Sequence, residues 1–309
     1  MSKSLTYTLL FLIMMIWGFN VTAIKVLVDN FAPVTITAFR ILVAGIVVML
    51  FLGINKEFHR TNKTQLGYIT LGALTGILGH HFFLATGLTM TNASNAGLIL
   101  GLVPLMTSVF AIIFLGDRLT VLRMIGIILG FSGVAFIVLS GGGNVGSISR
   151  GDVNIFLAVV TQAISFIAIK RATESMDSRL ITGWMQIIGA FFLFVVSLQL
   201  EPRGLASLTT GSPGAWLVFF ASAILATALG HMVYNKAIGQ IGAGETAIFT
   251  NLTPFFSLIG AVVFLGETIA WQQLFGFLFI VMGVVLGTGA LDKRKEDQLE
   301  AGKSRQVAR

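Results

Sequence analysis

Arg40 is a lone strong charge inside an apolar run, in the stretch AFRILVAG. A guanidinium kept from water needs a partner, and its fork of donors suits a carboxylate held by two parallel hydrogen bonds. The same side chain would otherwise reach outward to water or bind backbone carbonyls. His81 and His231 fall 150 residues apart, in GHHFF and GHMVY. An imidazole titrates near neutral pH, so either would take a proton, or serve simply as a polar residue satisfied in a core. His80 and His81 are neighbours, about 100° apart on a helix, unlike the i, i+4 pair that shares a metal. The chain has no cysteine, and no acid is near the histidines in sequence, so neither a metal site nor a cofactor is expected. No nucleophile stands beside a base, so no catalytic residue is expected and an enzyme is excluded.

A second set is polar or aromatic where the surroundings are apolar. Trp17 lies twelve residues into the first apolar run, roughly 18 Å deep at 1.5 Å per residue. Asn20 follows one turn on. A ring and an amide at that depth suit the apolar body and polar head of an organic ligand, with ordinary helix packing as the alternative. Pro104 and Pro254 interrupt two long apolar segments. Each lacks an amide proton, so the carbonyls of Leu100 and Thr250 lose helical partners and a kink or hinge is expected. Thr107, Ser108 and Asn251 flank these prolines and are expected beside a cavity. Gln186 occupies the place of Arg40 in a related stretch, WMQIIGAF. Ser165, Gln162, Tyr234 and Asn235 are weaker lining candidates.

What must position these residues is a membrane. Of 309 residues, 55% are apolar and only 11% charged, against about 25% charged in a soluble domain. Breaking the chain at charges, prolines and loop clusters predicts ten helical spans, at 5–25, 34–54, 66–88, 94–115, 120–140, 152–171, 180–200, 213–236, 244–265 and 270–291. The runs are continuous rather than alternating, which predicts an all-α integral membrane protein and not a barrel. With the N-terminus inside, sixteen Lys and Arg fall in inner segments and three (Lys25, Arg150 and Arg203) in outer ones. Both termini are therefore expected in the cytoplasm. The net charge of +7 resides in short loops and a basic tail at 292–309, so a nucleic-acid surface is excluded. The partners expected are a lipid bilayer and a small molecule.

The spans repeat. LVPLMTSVFAIIFLGDRL begins at Leu102 and LTPFFSLIGAVVFLGETI at Leu252, with Asp117 matched by Glu267. Gly126 and Gly133 pair with Gly276 and Gly283 at the same offset. Five spans per half is odd, so the second half, 152–291, should enter the membrane inverted relative to the first, 5–140. Such inverted five-helix repeats build a central site opened alternately from two sides. The two acids sit at span ends and are expected to cap the helices that follow them. The small-xxx-small pairs Gly126/Gly130 and Gly283/Gly287 predict close helix packing, chiefly within the bundle. The oligomeric state expected is a monomer or a weak homodimer through these late helices.

WGFNVTAIK, FRILVAG and the paired LVPL…FLGDRLT…GIILGFSGV and LTPF…FLGETIA…GFLFIVMGV resemble the two EamA domains of the drug/metabolite transporter superfamily. The resemblance implies a ten-helix carrier in the bacterial inner membrane, usually an exporter of small metabolites or amino acids. The function expected is secondary export of a small organic metabolite, an amino acid or derivative, by alternating access. A flippase for a lipid or lipid-linked sugar, and a drug efflux carrier, are the alternatives. The first span holds no acid, unlike the small multidrug relatives, and this argues against cation/proton drug antiport.

Overall fold

A computed structural model describes residues 3–56, 58, 61–140, 149–241, 246 and 249–288. The tail at 292–309, Glu245 and the Asn235 side chain lie outside the described residues. Every regular element among the described residues is helical: α1 (Lys3–Asn30), α2 (Pro33–Ile54), α3 (Lys63–Gly72), α4 (His80–Leu88), α5 (Ala93–Leu100), α6 (Val103–Leu115) and α7 (Val121–Ser140). The second half supplies α8 (Arg150–Thr173), α9 (Ser178–Leu200), α10 (Gly204–Ser207), α11 (Pro213–Ala221), α12 (Gly230–Ile241), α13 (Leu252–Leu265) and α14 (Trp271–Gly287). Two π-helical segments, Ala73–Gly79 and Ser222–Leu229, join α3 to α4 and α11 to α12.

Among the described residues eight helical stretches are long and apolar enough to cross a membrane, and α13 and α14 are shorter apolar helices of 14 and 17 residues. The expected start of the ninth span lies largely outside the described residues. At the prolines the chain breaks rather than bends. α5 ends at Leu100 and α6 restarts at Val103, with Pro104 in its first turn, where a missing amide costs nothing. Before Pro254 the Thr250 carbonyl is not left empty, because the Thr253 amide donates to it at 3.0 Å.

The repeated FLG ends α6 and α13 for one reason. Gly116 and Gly266 adopt left-handed φ angles of 73° and 66°, which a residue with a Cβ enters only at a cost of roughly 1 kcal/mol. The acids that follow act differently from the expectation. Glu267 does not cap α14, whose first amide donor, Ala270 N–H, is taken by Gln273 at 2.9 Å. Its carboxylate accepts from the Ala93 and Ser94 amides at 2.8 and 3.0 Å and from the Ser94 hydroxyl at 2.6 Å. It therefore holds the start of α5, across the boundary between the halves, at the positive end of that helix. Glu201 does the same for α2, through Val34 and Thr35. Asp117 pairs instead with Arg123 at 3.5 Å in the first turn of α7. Replacing Glu267 with Ala removes two acceptor oxygens and three hydrogen bonds from a helix start. We expect a loss of about 2 kcal/mol, read as a lower melting temperature than that of Thr268→Ala.

Asp177 caps α9 by accepting the Arg179 amide at 2.8 Å. Its hydrogen bond to the Arg179 side chain holds the carboxyl below its ordinary range. That stabilisation is present above the usual carboxylate range and is lost as pH falls through the lowered value.

Helix packing maps onto itself when the halves are exchanged. α1 lies on α13, α11 and α12, as α8 lies on α5 and α6, on α3 and on α4; α2 faces α9, and α7 faces α14. Gly126 of α7 meets the Gly283 carbonyl of α14, and Gly133 meets the Gly276 carbonyl at 2.8 Å from an added Cβ. Substituting each glycine by its counterpart 150 residues away turns one contact into the other. The glycine pairs thus serve an interface inside the chain.

Candidate functional site

The second π segment gathers the site. In a π turn each amide reaches five residues back: the Gly230 amide bonds the Leu225 carbonyl. The Thr227 hydroxyl takes the Ser222 carbonyl at 3.0 Å. The carbonyls of Ala226 and Thr227 accept from side chains. Trp17 Nε1 donates to Ala226 at 2.8 Å. His231 Nδ1 donates to Thr227 at 2.8 Å, and Gln186 Nε2 reaches the same oxygen at 3.4 Å. With no water in the hydrocarbon region to satisfy a carbonyl, these donors fix the segment and the segment fixes them.

Arg40 enters this cluster from α2. Its Nη1 donates to Thr227 Oγ1 at 2.8 Å and Ser222 Oγ at 3.4 Å, and its Nη2 to His81 Nδ1 at 3.3 Å. Ser222 in turn donates a short hydrogen bond to Asn20 Oδ1. Arg40 is 1% exposed, so it does not snorkel to water, and among the described residues its hydrogen bonds go to side chains and not to backbone carbonyls. Among the described residues no carboxylate lies within ion-pair distance of it, and its Nε and the Gln186 Oε1 are buried without hydrogen-bond partners. Trp17 closes one side, its ring 5.1 Å from both His231 and Tyr234. His80 and His81 rings lie 4.8 Å apart on another. Among the described residues no group of three His, Asp or Glu is arranged to hold a metal.

Of the residues singled out in the sequence, Trp17, Asn20, Arg40, His81, Gln186 and His231 come together here. Thr107 and Ser108 do not. Thr107 bonds the Val103 carbonyl of its own helix, and Ser108 bonds the Gly287 carbonyl at 2.7 Å, against α14. α6 packs chiefly on α8, not on the helices that carry the cluster. Pro254 packs against Gly101, between the halves, and Asn251 precedes α13 without capping it through its side chain. Ser165 donates to the Gly72 carbonyl at 3.2 Å.

Sequence reasoning missed Ser222 and Thr227. Five residues apart, they would sit about 140° from one another on an α-helix; only the wider π turn brings both to Arg40. One signal was present. His81 and His231 are repeat partners, and the π segments that precede them occupy the same 150-residue offset to within one residue.

The profile of the EamA-like transporter family matches residues 4–139 and 149–288. The chain is 32% identical over 277 residues to the uncharacterized transporter YyaM of Bacillus subtilis, covering 86% of this chain and 88% of that one. It is 26% identical over 296 residues to a WAT1-related chloroplastic protein of Arabidopsis thaliana, covering 91% and 69%. A crystal structure of another protein matches 96% of this chain and all of its own at a TM-score of 0.67 and 18% identity, a likeness of fold.

Proposed function

The chain belongs to the EamA-like transporter family of the drug/metabolite transporter superfamily, and from that premise we propose that it is a secondary carrier for a small organic metabolite bearing a carboxylate. Proteins of this family are transporters and not enzymes. The substrate class we favour is an amino acid or derivative, moved outward by alternating access between two inverted five-helix repeats that together make ten spans. We place it in a bacterial inner membrane with both termini in the cytoplasm, in keeping with the sixteen inner Lys and Arg.

One observation carries the reading. Among the described residues Arg40 is a buried cation held only by neutral groups, with Nε still unpartnered. An uncompensated charge at such a place is costly and marks a ligand or ion path rather than a support. The Trp17 and Tyr234 rings would cover an apolar body, and Gln186 Oε1 would accept from a donor on the substrate. The two breaks before Pro104 and Pro254 are the hinges we assign to the opening of the two sides.

The test is flux into liposomes carrying the purified protein, with labelled amino acids, quaternary amines and sugars, with and without a pH gradient. Saturable flux of a carboxylate-bearing solute is expected. Flux of amines or sugars alone would overturn the substrate class. No flux, with lipid scrambling by the same liposomes, would replace the carrier by a flippase.

A further inference from the structure

The hydrogen bond between Arg40 and His81 has a fixed direction. A guanidinium only donates, so His81 Nδ1, 3.3 Å from Arg40 Nη2, offers its lone pair. The ring proton of neutral His81 is then on Nε2. His80 and His231 are committed the opposite way. His231 Nδ1 lies 2.8 Å from the Thr227 carbonyl and His80 Nδ1 lies 3.0 Å from the Ala158 carbonyl. A carbonyl only accepts, so each of these Nδ1 atoms carries its proton. Among the three, His81 alone turns an Nδ1 lone pair to the cation. A proton on that atom and the bond from Arg40 exclude each other.

We infer that His81 holds the place of the substrate at Arg40, so that the site loads one carboxylate together with one proton. An arriving carboxylate takes Arg40 Nη2 and frees His81 Nδ1. A hydronium ion on the open side then gives up a proton: its O–H bond breaks, leaving water, and an N–H bond forms at Nδ1, which donates to the carboxylate. No other covalent bond changes. Without the carboxylate, a proton on His81 would face the guanidinium with nothing between them. With it, the anion lies between two cations. Binding of each partner therefore favours the other, and by linkage the effect is equal in both directions.

No competing acid faces the ring among the described residues. α2 presents Arg40, α4 carries His80, and α12 brings His231 and Tyr234. α5 and the first π segment have no ionisable side chain. α8 holds Asp152 at one end, tied to Thr91, and Lys170 and Arg171 at the other. Lys25 of α1 bonds Asp29 and the Leu88 carbonyl at the end of α4.

The inference rests on Arg40 as a carboxylate anchor, and the experiment separates the two. The probes are L-leucine, 4-methylpentanoate, which lacks the amine, and isoamylamine, which lacks the carboxylate. Calorimetric titration of the full chain in two buffers of different ionisation enthalpy counts the protons taken up. We expect both carboxylates to bind with uptake of about one proton near pH 7, and affinity to fall up to tenfold between pH 7 and 8. His81→Gln keeps an acceptor for Arg40 but cannot gain a proton; its binding should take up none and stay within about twofold across that range. Carboxylate binding without proton uptake in the wild type overturns the inference and leaves the anchor standing. Uptake that persists in His81→Gln assigns the proton elsewhere and also overturns it. Loss of binding in both His81→Gln and His81→Asn, in folded protein, would make His81 an anchor and not a placeholder. Binding of the amine alone, or of no probe, overturns both readings.

Discussion

Arg40→Gln should abolish carboxylate flux while leaving the protein as stable as before, or more so. A charge-assisted, two-pronged hydrogen bond to a carboxylate is worth about 3 kcal/mol, so binding should weaken by roughly a hundredfold or more. Folding responds in the other direction. The wild-type guanidinium is buried with an unpartnered Nε and no opposing carboxylate among the described residues, and neutralising such a charge removes a desolvation cost. Gln retains a donor for Thr227. The pair of measurements, flux in liposomes and thermal melting in detergent, therefore decides between a binding role and a structural one. A structural Arg40 would show both falling together. Arg40→Lys keeps the charge but not the planar fork, and flux should still fall more than tenfold. Wild-type flux in Arg40→Gln would remove this residue from the site.

Gly283→Leu should prevent stable assembly of the bundle. Gly283 lies directly against the backbone of Gly130 in α7, and an added Cβ would also meet the Gly126 carbonyl at 2.7 Å. Backbone cannot step aside as a flexible side chain can, so α7 and α14 would have to separate. Overpacking of a tight interface costs on the order of 3 kcal/mol, and in a bilayer no hydrophobic force between helices makes up the loss. The expected result is aggregation or a broad profile on size exclusion. Gly67→Leu is the control, since nothing lies within 4 Å of an added Cβ there. A monodisperse Gly283→Leu protein with wild-type melting would show that this contact does not hold the halves together.

The sequence alone determined the all-helical membrane class, because continuous apolar runs leave only helices to satisfy their own backbone. It also determined the repeat, with Gly126 and Gly133 as counterparts of Gly276 and Gly283; that Gly126 meets Gly283 and Gly133 meets Gly276 was decided by the packing of α7 on α14. Arg40, His81 and His231 stood out as costly residues in apolar surroundings, and Gln186 as the counterpart of Arg40. Proximity to the prolines was a poor guide for Thr107 and Ser108, because their α6 faces α8 and α14 and not the cluster. Glu267 was legible as a cap but not as a cap for α5, since charge at a helix start carries no record of which helix arrives there in space. Ser222 and Thr227 were hidden by the α-helical period that sequence reading assumes. Only the packed bundle, with Trp17, His231 and Gln186 supplying donors to the carbonyls of Ala226 and Thr227, opens that turn to a π-helix and brings both hydroxyls to Arg40.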